Sequence, residues 1–115
     1  MATIYHPATI NYIRHAGDTT GIGMAVPIAV SLSGKIVRFQ MRERGSGKLK
    51  LQKLSTVTGE ITVTGQAYWV QFLNIDVKLL HDTYNYEIEC YTANLSTVQT
   101  LQKGMITFEE ENSHA

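Results

Sequence analysis

Along most of the chain apolar and polar residues alternate, and a period of two is that of strands with one buried face. The pattern predicts a first strand over residues 9–14, then an exposed connection over 15–23 that holds Gly17, Gly21 and Gly23. Val26, Ile28, Val30 and Leu32 share one parity and predict a strand over 26–32. Pro27, which brings no N–H to a ladder, puts that strand at a sheet edge or starts it. After a tight reversal at Ser33-Gly34, residues 35–42 send Val37, Phe39 and Met41 to one side and Arg38, Gln40 and Arg42 to the other. Residues 44–48 have turn chemistry, and Leu49, Leu51 and the Lys53-Leu54 pair carry the chain back. A strand over 60–64 then buries Ile61 and Val63, and after Gly65 a further strand alternates Tyr68, Val70 and Phe72 with Ala67, Trp69 and Gln71.

The period changes between Asn74 and Asp82, where Ile75 and Leu79 stand four apart, and one or two turns of helix are expected over the end of a sheet. Residues 84–91 return to alternation, with Tyr84, Tyr86, Ile88 and Cys90 on the inner side. The remainder predicts a strand over 97–102, a turn at Lys103-Gly104 and a last strand carrying Ile106 and Phe108. About eight short strands at this spacing, with one helical turn, predict an all-β chain built as an antiparallel two-sheet sandwich, with a small barrel as the alternative. No internal repeat supports a solenoid. The expected division is an N-terminal arm or edge strand over 1–15, one β-sandwich domain over 16–110 and a frayed acidic tail over 111–115.

Size and composition narrow the classes. A chain of 115 residues with 43% hydrophobic and 17% charged residues has enough apolar material for one core. Ten basic and ten acidic residues cancel, so no whole-molecule field would draw it to nucleic acid or anionic lipid. The single cysteine, Cys90, excludes an intrachain disulfide and a thiolate metal cluster, as suits a reducing compartment. The opening residues lack the basic start and apolar run of a secretion signal, and no stretch has the length of a membrane span. A soluble product made in a cytoplasm is expected.

Candidate chemistry is sparse. Gly45-Ser46-Gly47-Lys48 lacks the leading glycine and the trailing hydroxyl of a phosphate loop, with Arg42 and Leu49 in those places, and reads as a hairpin turn. Arg38, Arg42, Arg44, Lys48, Lys50 and Lys53 fall within sixteen positions, yet Phe39 lies on the face opposite Arg38 and Arg42, so stacking aromatics do not accompany the charges. No nucleic-acid partner is expected, and the strip reads as a solvated face that guards a sheet edge. His6, His15, His81 and His114 have no zinc-type spacing, and Asp18, Glu60, Asp76 and Asp82 sit near turns, where carboxylates cap backbone donors. Neither a catalytic residue, a metal ligand nor a cofactor site is predicted. The Asp82-Thr83-Tyr84 entry is like that of sandwich domains in which a tyrosine hydroxyl is tied to nearby backbone. Trp69 and Tyr91 fall out of phase with the core and are candidates for an interface or for stacking on a glycan.

Gly17-Asp18-Thr19, LSGKIVRFQMRE, GEITVTG, DTYNYEIECY and VQTLQKGMITFEEE follow one another in an order that resembles the N-terminal domain of phage baseplate upper proteins and related tail-fibre attachment domains. The likeness covers most of residues 16–110. It departs from the family at Ser33-Gly34, where members often carry a longer insertion, and at Thr83, where they often have glycine. The resemblance implies an immunoglobulin-like sandwich, without catalysis, that serves as a tail or baseplate adaptor attaching a fibre or receptor-binding component. It further implies residence in the virion, other phage structural proteins as partners, and multiple copies in a symmetric assembly. With no helical stalk after the domain, an adaptor, collar or decoration unit is expected. The candidate partner interface comprises Ile4, Tyr5, Ile10, Tyr12, Trp69, Tyr91, Arg38 and Arg42, with the N-terminal arm adding a strand to a neighbour. A carbohydrate-binding module or a capsid or tail decoration protein is the alternative.

Overall fold

The computed structural model describes residues 6–15, 19–27, 30–73, 76, 80, 82–95 and 98–109. Among them nine strands form two sheets: β1 (Ala8–Thr9), β2 (Tyr12–His15), β3 (Ile22–Ala25), β4 (Ile36–Glu43), β5 (Leu49–Leu54), β6 (Ile61–Thr64), β7 (Ala67–Val70), β8 (Thr83–Tyr91) and β9 (Val98–Glu109). The larger sheet has the order β1-β9-β8-β4-β5, with β2 continuing beside β9, and the smaller has the order β3-β7-β6. All neighbours are antiparallel except β1 and β2, which run parallel to β9. Three strands in this order facing a four-strand ladder, with an N-terminal strand on the far edge, is the partition of an immunoglobulin-like sandwich. The all-β sandwich expected from the alternation is therefore observed.

The core lies where the inner parities of the two sheets meet. Val37, Phe39 and Met41 from β4, Tyr84, Tyr86, Ile88 and Cys90 from β8, and Ile106 and Phe108 from β9 are buried against Ile22, Ile61, Tyr68, Val70 and Phe72. Phe39 is the hub: its ring meets Phe72 edge-on at 5.6 Å and stacks on Tyr86 at 6.0 Å. Each such aromatic contact adds roughly 1 kcal/mol beyond the area it buries.

Three expectations about elements are corrected. The strand predicted over 26–32 is displaced upstream to Ile22–Ala25, and its first two residues fall in what was expected to be an exposed connection over 15–23. Beyond Val26 the chain turns instead: Val30 N–H donates to the Pro27 carbonyl at 2.9 Å, and the Gln66 amide donates to the carbonyls of both Pro27 and Val30. The glycines at 21 and 23 mark a close approach of strands, not a loop, because a Cβ at either would overlap a β7 carbonyl oxygen and crowd Trp69. The turn expected at Lys103-Gly104 is absent, and β9 runs unbroken through it. Gly104, at φ 155°, leaves room there for the Ile10 carbonyl of the N-terminal strand. Of the helical turn predicted between Asn74 and Asp82, only Asp76, Leu80 and Asp82 are among the described residues; Ile75 and Leu79 lie outside them.

Candidate functional site

Pleating sends alternate side chains of the larger sheet outward, and three rows result. Arg38 stands opposite Glu89, Gln40 opposite Glu87, and Arg42 opposite Asn85, while β9 places Lys103 beside Glu87 and Met105 beside Asn85. Between these strands and the N-terminal segment lies an open trough of about 570 Å³, lined by Asn11, Gln40, Arg42, Asn85, Glu87, Lys103 and Met105, among others. Its floor is rigid because Asn11 Oδ1 accepts the Met105 N–H at 3.0 Å and Gln40 Nε2 donates to Gln52 Oε1 at 2.8 Å.

Charges on this face are used unequally. Arg38 donates to Glu89 Oε1 at 2.8 Å and lies over the Tyr91 ring at 5.0 Å, so an ion pair and a cation–π contact lock it in place. Arg42 donates to the Gly47 carbonyl at 3.1 Å. Glu87 and Lys103 are exposed, and neither joins an ion pair among the described residues. The trough therefore offers a carboxylate, an ammonium and the Asn85 amide to a partner.

The predicted basic strip does not exist as one surface. Lys53 turns inward beside Phe39, 3% exposed, and donates to Asp76 Oδ2 at 2.6 Å. Leu73 N–H donates to the same oxygen at 2.8 Å, so the partly buried carboxylate serves two donors. Arg38 is paired, and Lys48 and Lys50 sit exposed on the hairpin.

Of the candidate interface residues, Arg38, Arg42 and Tyr91 share the larger sheet's outer face. Trp69 lies on the opposite side of the molecule, on the outer face of the smaller sheet. Tyr12 faces the core, packed against Tyr86 with ring centroids 5.9 Å apart. Ile10 is a half-buried backbone anchor: its N–H donates to Lys103 O at 2.9 Å and its carbonyl accepts the Tyr86 hydroxyl at 2.6 Å. Ile4 and Tyr5 lie outside the described residues, as do Asp18, His81 and His114. Where a tie from Tyr84 to nearby backbone was expected at the entry of β8, the Tyr86 hydroxyl instead donates to the Ile10 carbonyl, a partner 76 residues distant in sequence.

Beneath the site lies a polar hub that alternation does not reveal. Gln102 is fully buried, accepts the Tyr68 hydroxyl at 2.6 Å and donates from Nε2 to the hydroxyls of Tyr12 (2.8 Å) and Tyr86 (2.9 Å). Gln102 pairs with Ile88 and keeps the inward parity of Ile106 and Phe108, while the register slip against β8 between Ile88 and Glu89 makes Leu101 an extra residue that is buried as well. Burial raises the phenolic pKa of Tyr86 far above its ordinary value, with the Gln102 bond acting in the opposite sense. Tyr84 is raised by burial and then by the nearby Asp82 and Glu43 carboxylates. Burial likewise pushes up the Cys90 thiol. Among the described residues no group of three or more His, Cys, Asp or Glu side chains could hold a metal ion.

No protein-family model and no curated protein sequence matches the chain. Two solved structures with which it aligns over nearly full length are a fibronectin(III)-like module of Clostridium thermocellum CbhA and murine CRIg. The first shares 8% identity at a TM-score of 0.44, covering 94% of each chain. The second shares 13% identity at a TM-score of 0.33, covering 96% of this chain and 98% of that one. No helix among the described residues is long and apolar enough to cross a membrane.

Proposed function

We propose that this protein is a non-catalytic docking module whose partner-facing surface is the trough on the outer face of β9, β8 and β4. The observation that carries this reading is that Glu87, Lys103 and Asn85 stand exposed, with hydrogen-bonding capacity left unused among the described residues, on a floor fixed by backbone and amide bonds. Rigid strands presenting unpaired polar groups suit recognition of a protein surface, since little side-chain order remains to be lost on binding. The resemblance to baseplate upper proteins and tail-fibre attachment domains supplies the setting: a phage tail or baseplate adaptor that attaches a fibre or receptor-binding component, in several copies related by symmetry.

Purified particles produced from the genome that encodes the chain test the setting. Immunogold microscopy is expected to place it on the tail, and a deletion to remove one appendage; particles that lack the protein overturn the tail assignment. Reversing both cationic charges of the trough, with Arg42→Glu and Lys103→Glu, is expected to abolish attachment of the folded protein to deletion particles. Unchanged attachment would show that another surface docks.

A further inference from the structure

The smaller sheet has an outer face of a different kind. Its outward positions are Gly23 and Ala25 on β3, Ala67 and Trp69 on β7, and Thr62 and Thr64 on β6, none of them ionisable. In register, Thr62, Trp69 and Gly23 form one row and Thr64, Ala67 and Ala25 the next. The indole lies over glycine backbone at Gly21 and Gly23, where a Cβ would come within 2.8 Å and 3.0 Å of ring atoms. Trp69 Nε1 donates to Gln71 Oε1 at 3.3 Å, and Gln71 donates onward to the carbonyls of Thr19 and Phe72. The ring is thus held flat from below and at its polar end, yet Trp69 remains 43% exposed. A shallow trough of about 330 Å³ runs beside it over Thr62, Thr64 and Ala67.

We propose that this platform binds an uncharged sugar ring, stacked on Trp69 and hydrogen-bonded by the threonine hydroxyls. Size argues against a protein occupant: three strands of four residues span roughly 13 Å by 14 Å, about 200 Å², against about 800 Å² per partner in a stable protein interface. A pyranose ring fits such an area. Chemistry argues the same way. A rigid π-face takes the ring's C–H groups, flanking hydroxyls take its O–H groups, and a face without charge gives no reason for an anionic or cationic ligand. Small residues around the indole keep the floor low enough for a flat ring to reach it.

Trp69 is the single tryptophan, so its fluorescence reports on this site alone. Titration with a panel of neutral di- and tetrasaccharides built from glucose, galactose, mannose and N-acetylglucosamine is expected to shift the emission for at least one member. Amide shifts in NMR spectra should then be confined to β3, β6 and β7. Trp69→Ala is expected to weaken that binding by about 10-fold or more, read by NMR, and Trp69→Phe to keep part of it. Thr62→Lys, which leaves the indole in place, should weaken it too if the hydroxyl row is used. No response from any member, shifts centred on the Arg42 trough, or a dimer in sedimentation that Trp69→Ala dissolves would each overturn the proposal.

Discussion

Gln102→Met tests whether the buried hub holds the sandwich together. The replacement keeps the length of the side chain and removes its amide. Three hydrogen bonds are lost, from Tyr68 and to Tyr12 and Tyr86. At a net of about 1 kcal/mol each they amount to about 3 kcal/mol. Against a total stability of roughly 5 to 15 kcal/mol for a domain of this size that is a large fraction. For a chain of this length it corresponds to a fall of about 12 °C in Tm, taking roughly 4 °C per kcal/mol. Because the Gln102 N–H bonds Tyr86, whose hydroxyl in turn bonds the Ile10 carbonyl, the loss should propagate to the N-terminal strand. Urea unfolding followed by circular dichroism gives the free energy, and amide exchange in Tyr12–His15 gives the local effect. A double-mutant cycle with Tyr86→Phe should show coupling of about 1 kcal/mol or more. Additive losses, or a cost for Gln102→Met under about 1 kcal/mol, would refute the hub.

Three further outcomes are expected. Asp76→Asn should cost about 3 kcal/mol in urea unfolding because it strands the buried Lys53 ammonium, whereas Lys53→Met, which removes that charge, should cost less than half as much; equal costs would show that the pair is not desolvated. Gly104→Ala should cost about 2 kcal/mol or more and speed amide exchange in β2 selectively, since the new methyl meets the Ile10 carbonyl at a strained φ; uniform exchange would separate Gly104 from the N-terminal strand. The contribution of Tyr84 and Tyr86 to stability should be flat in pH below about 10 and fall above it: unfolded tyrosines then release protons while the raised Tyr84 and Tyr86 keep theirs, giving a slope of up to about 1.4 kcal/mol per pH unit per group until the folded values are passed. Tyr86→Phe should flatten that slope in urea unfolding at stepped alkaline pH, and an unchanged slope would remove Tyr86 as its source.

What the sequence makes legible is what depends on a period of two. Strand β4 with Val37, Phe39 and Met41 inward, β8 with its tyrosines inward, and the turns at Ser33-Gly34 and 44–48 all follow from alternation and turn chemistry. The misreadings share a cause: a residue whose role is set by a strand distant in sequence. Gly21 and Gly23 look like loop until Trp69 is laid over them, and Gly104 looks like a turn until Ile10 crosses it. Gln102 shares the inward parity of Ile106 and Phe108, but its role stays hidden because the hydroxyls it joins come from β2, β7 and β8, and Lys53 reads as surface because Asp76, its partner, lies 23 positions away. Of the site, Arg38, Arg42, Tyr91 and Trp69 were visible as outward residues. Their division between opposite faces was not, since parity within a strand carries no information about which sheet the strand joins. Glu87, Asn85 and Lys103 carried the same outward parity, but only register brings them together.

The two outer faces are built from one core yet share no side chain, and that has a functional consequence. Sheets in a sandwich lie about 10 Å apart, and here the interior between them is filled by rings and by a hydrogen-bonded hub with no net charge. Substitutions separated by such a distance, without a common partner, act additively on stability and binding to within a few tenths of a kcal/mol. Arg42→Glu should therefore leave the Trp69 platform's response to saccharide intact, and Trp69→Ala should leave docking through the trough intact. Coupling between them would require the hub to have two arrangements, and Gln102, with both of its amide protons and its carbonyl engaged, is held in one. The two proposed contacts, one charged and one neutral, would therefore act independently on opposite sides of one body.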